Sequence, residues 1–125
     1  MKTLTLGLLL YRLTIETGMP HLEDNLRYAT VAATRCLTQS DLATVFPILT
    51  HPALQDCALR MESESDDSLT YVLACTGSHG TTGTAHWERS AHQMRGTLNV
   101  RLGGKNMTFY QRITAIEAGK CPAQS

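Results

Sequence analysis

Apolar and polar residues alternate along most of the chain after residue 57, and polar or glycine-rich turns separate the alternating runs. An alternation of period two is typical of antiparallel strands that bury one face. Two apolar, β-branched runs before residue 37 predict two further strands. The predicted strands therefore cover residues 8–17, 28–36, 57–63, 69–77, 84–90, 92–102 and 106–116.

The alternation also predicts which residues share the buried face of these strands. In the first strand this face is opposite Arg12, Thr14 and Glu16, and in the last long pair it is opposite Asn99 and Arg101. The residues predicted to share it are Tyr11, Leu13, Tyr71, Leu73, Trp87, Leu98, Val100 and Phe109.

Short strands joined by polar turns predict a mainly β protein, an antiparallel meander that forms a curved sheet or a small barrel. A chain of 125 residues with 42% hydrophobic content suffices for one core. We therefore expect residues 1–125 to form a single β domain, with one short helix inserted between the second and third strands.

The insertion lies in the stretch "RCLTQSDLATVFPILTHPALQDC", residues 35–57. Thr38, with Asp41 three residues later, predicts a capped helix start, and Pro47 predicts an end near Phe46. The apolar face of this helix would consist of Leu42, Val45 and Phe46. So short a helix is unstable alone in water, so it would dock on the sheet as a lid or plug. The alternative is a surface loop with one helical turn.

Four cysteines, Cys36, Cys57, Cys75 and Cys121, occur without a C-x-x-C pair, which disfavours a zinc finger or a thioredoxin-like site. They allow three disulfide pairings, among which the sequence does not decide. We favour Cys36–Cys57, which would close the insertion, and Cys75–Cys121, which would tie the C-terminal end to a central strand. Two disulfides favour an oxidising compartment over four reduced, buried thiols.

The balance of charge limits the class of partner. Lys plus Arg equals Asp plus Glu, so the net charge is zero and no basic field is available for nucleic acid. The apolar N-terminal start is interrupted by Tyr11 and Arg12, is too short to span a membrane, and lacks a cleavage site. We therefore expect it to lead into the first strand, and a longer native leader to have stood in its place.

Five histidines are available as ligands or bases, but no metal-ligand spacing occurs among them, so we expect no metal and no cofactor. His86, Glu88 and His92 could converge near one sheet edge, although solvated polar residues at a hairpin are the simpler interpretation. The segment Met19-Pro20-His21 offers one thioether and one imidazole to copper, or merely packs Met19. The acidic turn with Asp66 and Asp67 reads as a solvated turn.

Several short motifs occur in a characteristic order: Cys36-Leu37-Thr38, Cys75, Gly77, Gly83-Thr84, Gly96-Thr97, and Gly119 with Cys121. In this order the chain resembles the secreted bacterial family described as domain of unknown function 3617. The resemblance covers nearly the whole chain. It implies an exported protein of the periplasm or envelope, and it implies no established activity.

These observations lead to one expected function and two alternatives. We expect a small periplasmic or secreted protein that binds an apolar or aromatic small molecule against the concave, inward face of the sheet, which we call the cup. The expected ligand-binding residues are Tyr11, Tyr71, Trp87, Phe109 and His86. The alternatives are a small enzyme that uses His86, Glu88, His92 or Tyr110 as acid-base groups, and an envelope adaptor that pairs a sheet edge with a partner strand. The sequence leaves the oligomeric state open.

Overall fold

The computed structural model describes residues 9–18, 28–77, 80–103 and 107–121. Its strands are β1 (Leu9–Gly18), β2 (Tyr28–Leu37), β3 (Cys57–Glu64), β4 (Ser68–Cys75), β5 (Thr82–Ser90), β6 (Gln93–Leu102) and β7 (Met107–Lys120). Each predicted strand is present, with ends displaced by a few residues. The predicted mainly β fold is therefore confirmed.

The strands form one antiparallel sheet in the order β2-β1-β7-β6-β5-β4-β3. Strands β3 to β7 are a meander in chain order, and β1 and β2 extend it beyond β7. The sheet does not close into a barrel, because β2 and β3 stand at its two edges and do not pair with each other. Of the two expected forms, a curved sheet and a small barrel, the structure has the open sheet.

The two faces of the sheet differ in the way the alternation predicts. Most inward residues of β1, β4, β5, β6 and β7 are buried, and their neighbours in sequence are exposed or half-buried. The buried core residues of the strands are Tyr11, Leu13, Ile15, Leu37, Leu59, Leu69, Tyr71, Leu73, Ala85, Trp87, Met94, Leu98, Val100, Phe109, Ile113 and Ala115. A single apolar face of this extent must be covered, because its exposure would cost about 25 cal/mol for each Å2.

Residues 38–56 connect the two edge strands and cover this inward face; we call this segment the strap. The single short helix predicted here is wrong in form, because the strap contains three 3-10 turns, Gln39–Ala43, Pro47–Thr50 and Pro52–Leu54. Pro47 starts the second turn instead of ending a helix, since a proline has no N–H to continue an α-helical ladder but fits the first position of a turn.

The predicted start of the strap is confirmed. The Thr38 N–H donates to Oδ2 of Asp41 at 2.7 Å, and the Thr38 hydroxyl donates to the same oxygen at 3.0 Å. The prediction that the segment docks on the sheet is confirmed as well, because the strap buries Leu42, Val45, Phe46 and Leu54. Four buried apolar side chains contribute roughly 6–12 kcal/mol, which is comparable to the whole stability of a small domain. The strap is thus a plug that forms part of the core.

The favoured disulfide pairing is wrong. The structure has Cys36–Cys121 and Cys57–Cys75. Cys36 lies on edge strand β2 and Cys57 on the opposite edge strand β3, whereas Cys57 faces Cys75 on the neighbouring strand with a Cα–Cα distance of 4.0 Å. Cys36 lies 5.8 Å from Cys121 between Cα atoms, beyond the last residue of β7. Each end of the strap is therefore fastened to the sheet.

Candidate functional site

Four of the five predicted ligand-binding residues share the inward face of the sheet. Tyr11, Tyr71, Trp87 and Phe109 are all buried there. His86 does not join them, because it precedes Trp87 on the same strand and therefore points to the outer face, where it is exposed. The structure therefore places the four aromatic residues of the predicted set on one face and His86 on the other.

Trp87 is the centre of contact between the sheet and the strap. Its Nε1–H donates to the backbone carbonyl of Leu42 at 3.0 Å, and its ring lies 5.5 Å from the ring of Phe46 between centroids. The indole lies over Gly96, the residue directly opposite on β6. The exposed fraction of Trp87 is 0%, so no water-sized void touches its side chain. At this point the strap fills the cup.

A second polar contact to the strap comes from Gln111, an inward position of β7 that is 4% exposed. Its Oε1 accepts a hydrogen bond from the Ile48 N–H at 2.9 Å, and its Nε2 donates to the Thr17 hydroxyl at 2.9 Å. Gln111 alternates with the inward Phe109 and Ile113, but its role was not predicted from the sequence. The available signal was an uncharged amide among apolar inward residues, which implies a buried hydrogen-bond partner.

The exit from the strap is held by Asp56. Its carboxylate accepts a hydrogen bond from the Gly77 N–H at 2.8 Å, and its carbonyl accepts one from the Thr76 N–H at 3.0 Å. The disulfide between Cys57 and Cys75 follows immediately. The strap is therefore fixed at its exit as well as over Trp87 and Gln111.

The inward tyrosines have raised pKa values. Burial is the main cause for Tyr11, and the carboxylate of Glu117 adds to it while Arg89 opposes it. Burial also raises the pKa of Tyr71, with a further contribution from Glu64. Both phenols are neutral over the physiological pH range, so neither is prepared to act as a base.

The two exposed histidines of the described residues 86–92 form separate pairs with carboxylates. His86 Nε2 lies 4.0 Å from Oε2 of Glu88, and His86 Nδ1 lies 3.0 Å from the Thr70 hydroxyl. His92 instead lies against β7, with Nδ1 3.3 Å from Oε1 of Glu117. The three residues do not converge, because the turn directs His92 to another strand. The simpler interpretation, solvated polar residues at a hairpin, agrees with their exposure.

Metal-ligating side chains are dispersed in the described part of the chain, where no group of three or more could hold a metal ion. Asp66 and Asp67 are exposed at the turn between β3 and β4, as predicted. Met19-Pro20-His21 and His79 lie outside the described residues. None of the described helices is long and apolar enough to cross a membrane.

A groove of about 610 Å3 crosses β4 to β7 at one end of the sheet. Phe109 is the one member of the predicted ligand-binding set that lines it. Its exposed lining residues alternate with core residues and so lie on the outer face; they are Thr82, Thr84, Asn99, Arg101 and Thr108. The half-buried Val72 and Tyr110 also line it, and Leu73, Gly83 and Val100, which lie between the outward residues along the strands, complete the lining.

The two edges of the sheet differ in how far they are protected against pairing. Strand β3 has eight residues, three of them charged, and a register shift between Met61 and Ser63. Strand β2 has ten residues, keeps an unbroken register with β1, and has Arg35 as its single charge. Charges and bulges are the usual protection of an edge strand. By this criterion β3 is protected and β2 is open.

Comparison with family models, with curated proteins and with solved structures finds no match to this chain. The resemblance to domain of unknown function 3617 accordingly stays a prediction.

Proposed function

We propose that this chain is a small exported interaction module that accepts an extended segment of a partner along the free edge of β2. The observation that carries this proposal is the contrast between the open β2 and the protected β3. An edge strand offers unpaired N–H and C=O groups, and an added strand pairs with them through backbone hydrogen bonds.

The packing of the inward face supports this function over ligand binding in the cup. Trp87 is fully buried under the strap, and two hydrogen bonds tie the strap to Trp87 and Gln111. A ligand in the cup would have to displace apolar side chains whose burial contributes roughly 6–12 kcal/mol. Edge pairing needs no such displacement.

The compartment follows from the two disulfides, which indicate an oxidising, extracytoplasmic environment. A periplasmic or secreted location is the finer proposal, and the resemblance supports it. In such a compartment both ends of the strap stay fastened, and the rigid sheet keeps β2 in an extended form that a partner strand can join.

A second candidate function is the binding of a small apolar or aromatic molecule in the groove of the outer face, and not in the cup. The groove of about 610 Å3 favours it, because this volume lies within the range of small-molecule sites. Val72 and Tyr110 would provide apolar contact there, and Asn99 would provide a hydrogen-bonding amide.

The first function is tested by amide hydrogen exchange on the dilute protein, with and without a synthetic peptide of alternating threonine and valine. We expect the peptide to slow exchange of amides in β2 and to leave β3 unchanged. Equal protection at both edges, or no protection at β2, would refute edge addition.

Matched variants sharpen this test. Ala32 on β2 and Ala58 on β3 are both exposed alanines of edge strands. Because a charge on an edge opposes strand addition, we expect Ala32→Lys to abolish the protection and Ala58→Lys to preserve it.

The second function is tested by nuclear magnetic resonance titration with 8-anilinonaphthalene-1-sulfonate as an aromatic probe. Saturable shifts at Val72, Thr84 and Asn99 would support binding in the groove. Saturable shifts confined to the strap and the aromatic residues of the cup would place binding in the cup instead, and the absence of saturation would refute both sites.

A further inference from the structure

We infer that the strand accepted by β2 is the β2 strand of a second copy of this chain, so that two sheets join about a twofold axis. This inference rests on the proposed edge function and names its partner. Strand β2 pairs with β1 on one side, and no other described strand pairs with it on the other side.

An antiparallel pair of identical strands is compatible with the unbroken register of β2. Residues 28–37 pair one-to-one with β1, with no shift along the strand. With the axis at Ala32, residue 30 of one copy stands opposite Thr34 of the other, and residue 29 stands opposite Arg35. The sheet would then continue through both copies with the same antiparallel pattern that it has within each.

The charges of β2 do not oppose this arrangement. The strand has Arg35 as its single charged residue, and the facing position, residue 29, is an alanine. The two arginines of a pair would lie about six residues apart along the strands, roughly 20 Å, which is beyond the screening length at physiological salt. The chain as a whole has no net charge, so two copies do not repel each other over long distances.

The same features argue against a charged peptide as the partner of β2, and against pairing of β2 with strand β3 of another copy. A strand with one charge in ten residues offers little to select a charged peptide. Pairing of β2 with β3 of a further copy would be head-to-tail and open-ended, and the register shift at Met61 and Ser63 interrupts it. A pair of β2 strands closes on itself, which keeps the assembly at two copies.

The inference is tested by native mass spectrometry and analytical ultracentrifugation of the full chain over a range of concentrations. We expect a species of twice the 13.7 kDa chain mass that dissociates on dilution. Ala32→Lys places two like charges opposite each other and should weaken the dimer at least about tenfold, and Ala32→Asp should do the same. Ala58→Lys, the matched change on β3, should leave dimerisation unchanged.

Mixing the two charged variants gives the decisive result. If Ala32 faces its own copy, Ala32→Lys and Ala32→Asp should form a mixed dimer that is tighter than either variant alone, and their different masses identify it. This rescue would not occur if the substitutions merely unfolded β2.

The failures of the two proposals are distinguishable. A chain that is monomeric at every concentration overturns the self-pairing, and if the threonine-valine peptide still protects β2, the edge function stands. A dimer that Ala58→Lys weakens as much as Ala32→Lys also overturns the inference, because the interface would then not lie on β2.

Discussion

Strand β5 shows how differently two adjacent residues of one strand are used. Trp87 is fully buried, donates a hydrogen bond to the strap and contacts Phe46. His86 and Glu88, on either side of it, lie exposed on the outer face; His86 contacts both Glu88 and Thr70. The strap packs on the inward face of the sheet, whereas the outer face is exposed to solvent and has a groove.

Residue type alone therefore does not identify a functional site. The aromatic residues on the inward face could have lined a ligand cavity, yet the strap uses them as its docking surface. The histidines had the chemistry of acid-base groups, yet each faces solvent beside one carboxylate. If the two faces differ in this way, substitutions on the inward face should lower the free energy of unfolding far more than substitutions on the outer face.

The largest effect is expected for Trp87→Ala. Loss of the indole removes contact with Phe46 and leaves the Leu42 carbonyl without its donor. The free energy of unfolding should fall by about 3–5 kcal/mol. Urea denaturation followed by circular dichroism measures it, and a loss below about 1 kcal/mol would mean that the strap is not seated on Trp87.

A smaller effect is expected for Gly96→Ala. A Cβ at this position would come within 2.5–2.6 Å of the Trp87 ring atoms, so the indole would have to move. Overpacking of this kind should cost about 1–3 kcal/mol of stability. The control is Arg95→Ala, its exposed neighbour on β6. Equal losses in the two variants would contradict close packing between Gly96 and Trp87.

Gln111→Met tests the polar tie between β7 and the strap. The substitution keeps the length of the side chain but leaves the Ile48 N–H without its acceptor. We expect a loss of about 1–3 kcal/mol and faster hydrogen exchange at Ile48. Thr108→Val, on the exposed side of the same strand, is the control. Unchanged exchange at Ile48 would show that Gln111 does not hold the strap.

Alkaline pH should lower the free energy of unfolding through the two buried tyrosines of the inward face. The pKa values of Tyr11 and Tyr71 are raised in the folded chain, so the folded state keeps protons that the unfolded state loses above about pH 10. Stability from this source is complete below that pH and is lost as the pH rises toward the folded pKa values. Tyr11→Phe with Tyr71→Phe should reduce this loss in thermal melts between neutral and alkaline pH; an identical loss would exclude these tyrosines as its cause.

The smallest effect is expected for His86→Ala on the outer face. Its side chain is exposed, and its contacts are with Thr70 and Glu88. The free energy of unfolding should change by less than about 0.5 kcal/mol, as is usual for surface positions. A loss approaching that of Trp87→Ala, measured in the same urea series, would abolish the contrast between the two faces.

Local patterns predicted most of the fold because they depend on neighbours in sequence. The alternation and the β-branched runs located the seven described strands, and the alternation placed Tyr11, Tyr71, Trp87 and Phe109 on one face. The capping partners Thr38 and Asp41 were recognisable because they lie three residues apart. These are short-range properties of the chain, and the tertiary structure preserves them.

The site was predicted less well because its contacts join distant residues. The partner of Trp87 is the Leu42 carbonyl, and the partner of Gln111 is the Ile48 N–H, and no local pattern specifies either pair. The direction of His92 toward Glu117 likewise depends on the order of strands β5, β6 and β7 in the sheet.

Local sequence patterns were sufficient to predict a mainly β fold, the positions of its strands, and which strand residues share each face. The order of the strands, the disulfides Cys36–Cys121 and Cys57–Cys75, and the position of the strap over Trp87 became known from the three-dimensional structure. Alternation indicates which side chains are buried, but it does not indicate which residues cover them. That choice is made by backbone pairing between strands far apart in sequence.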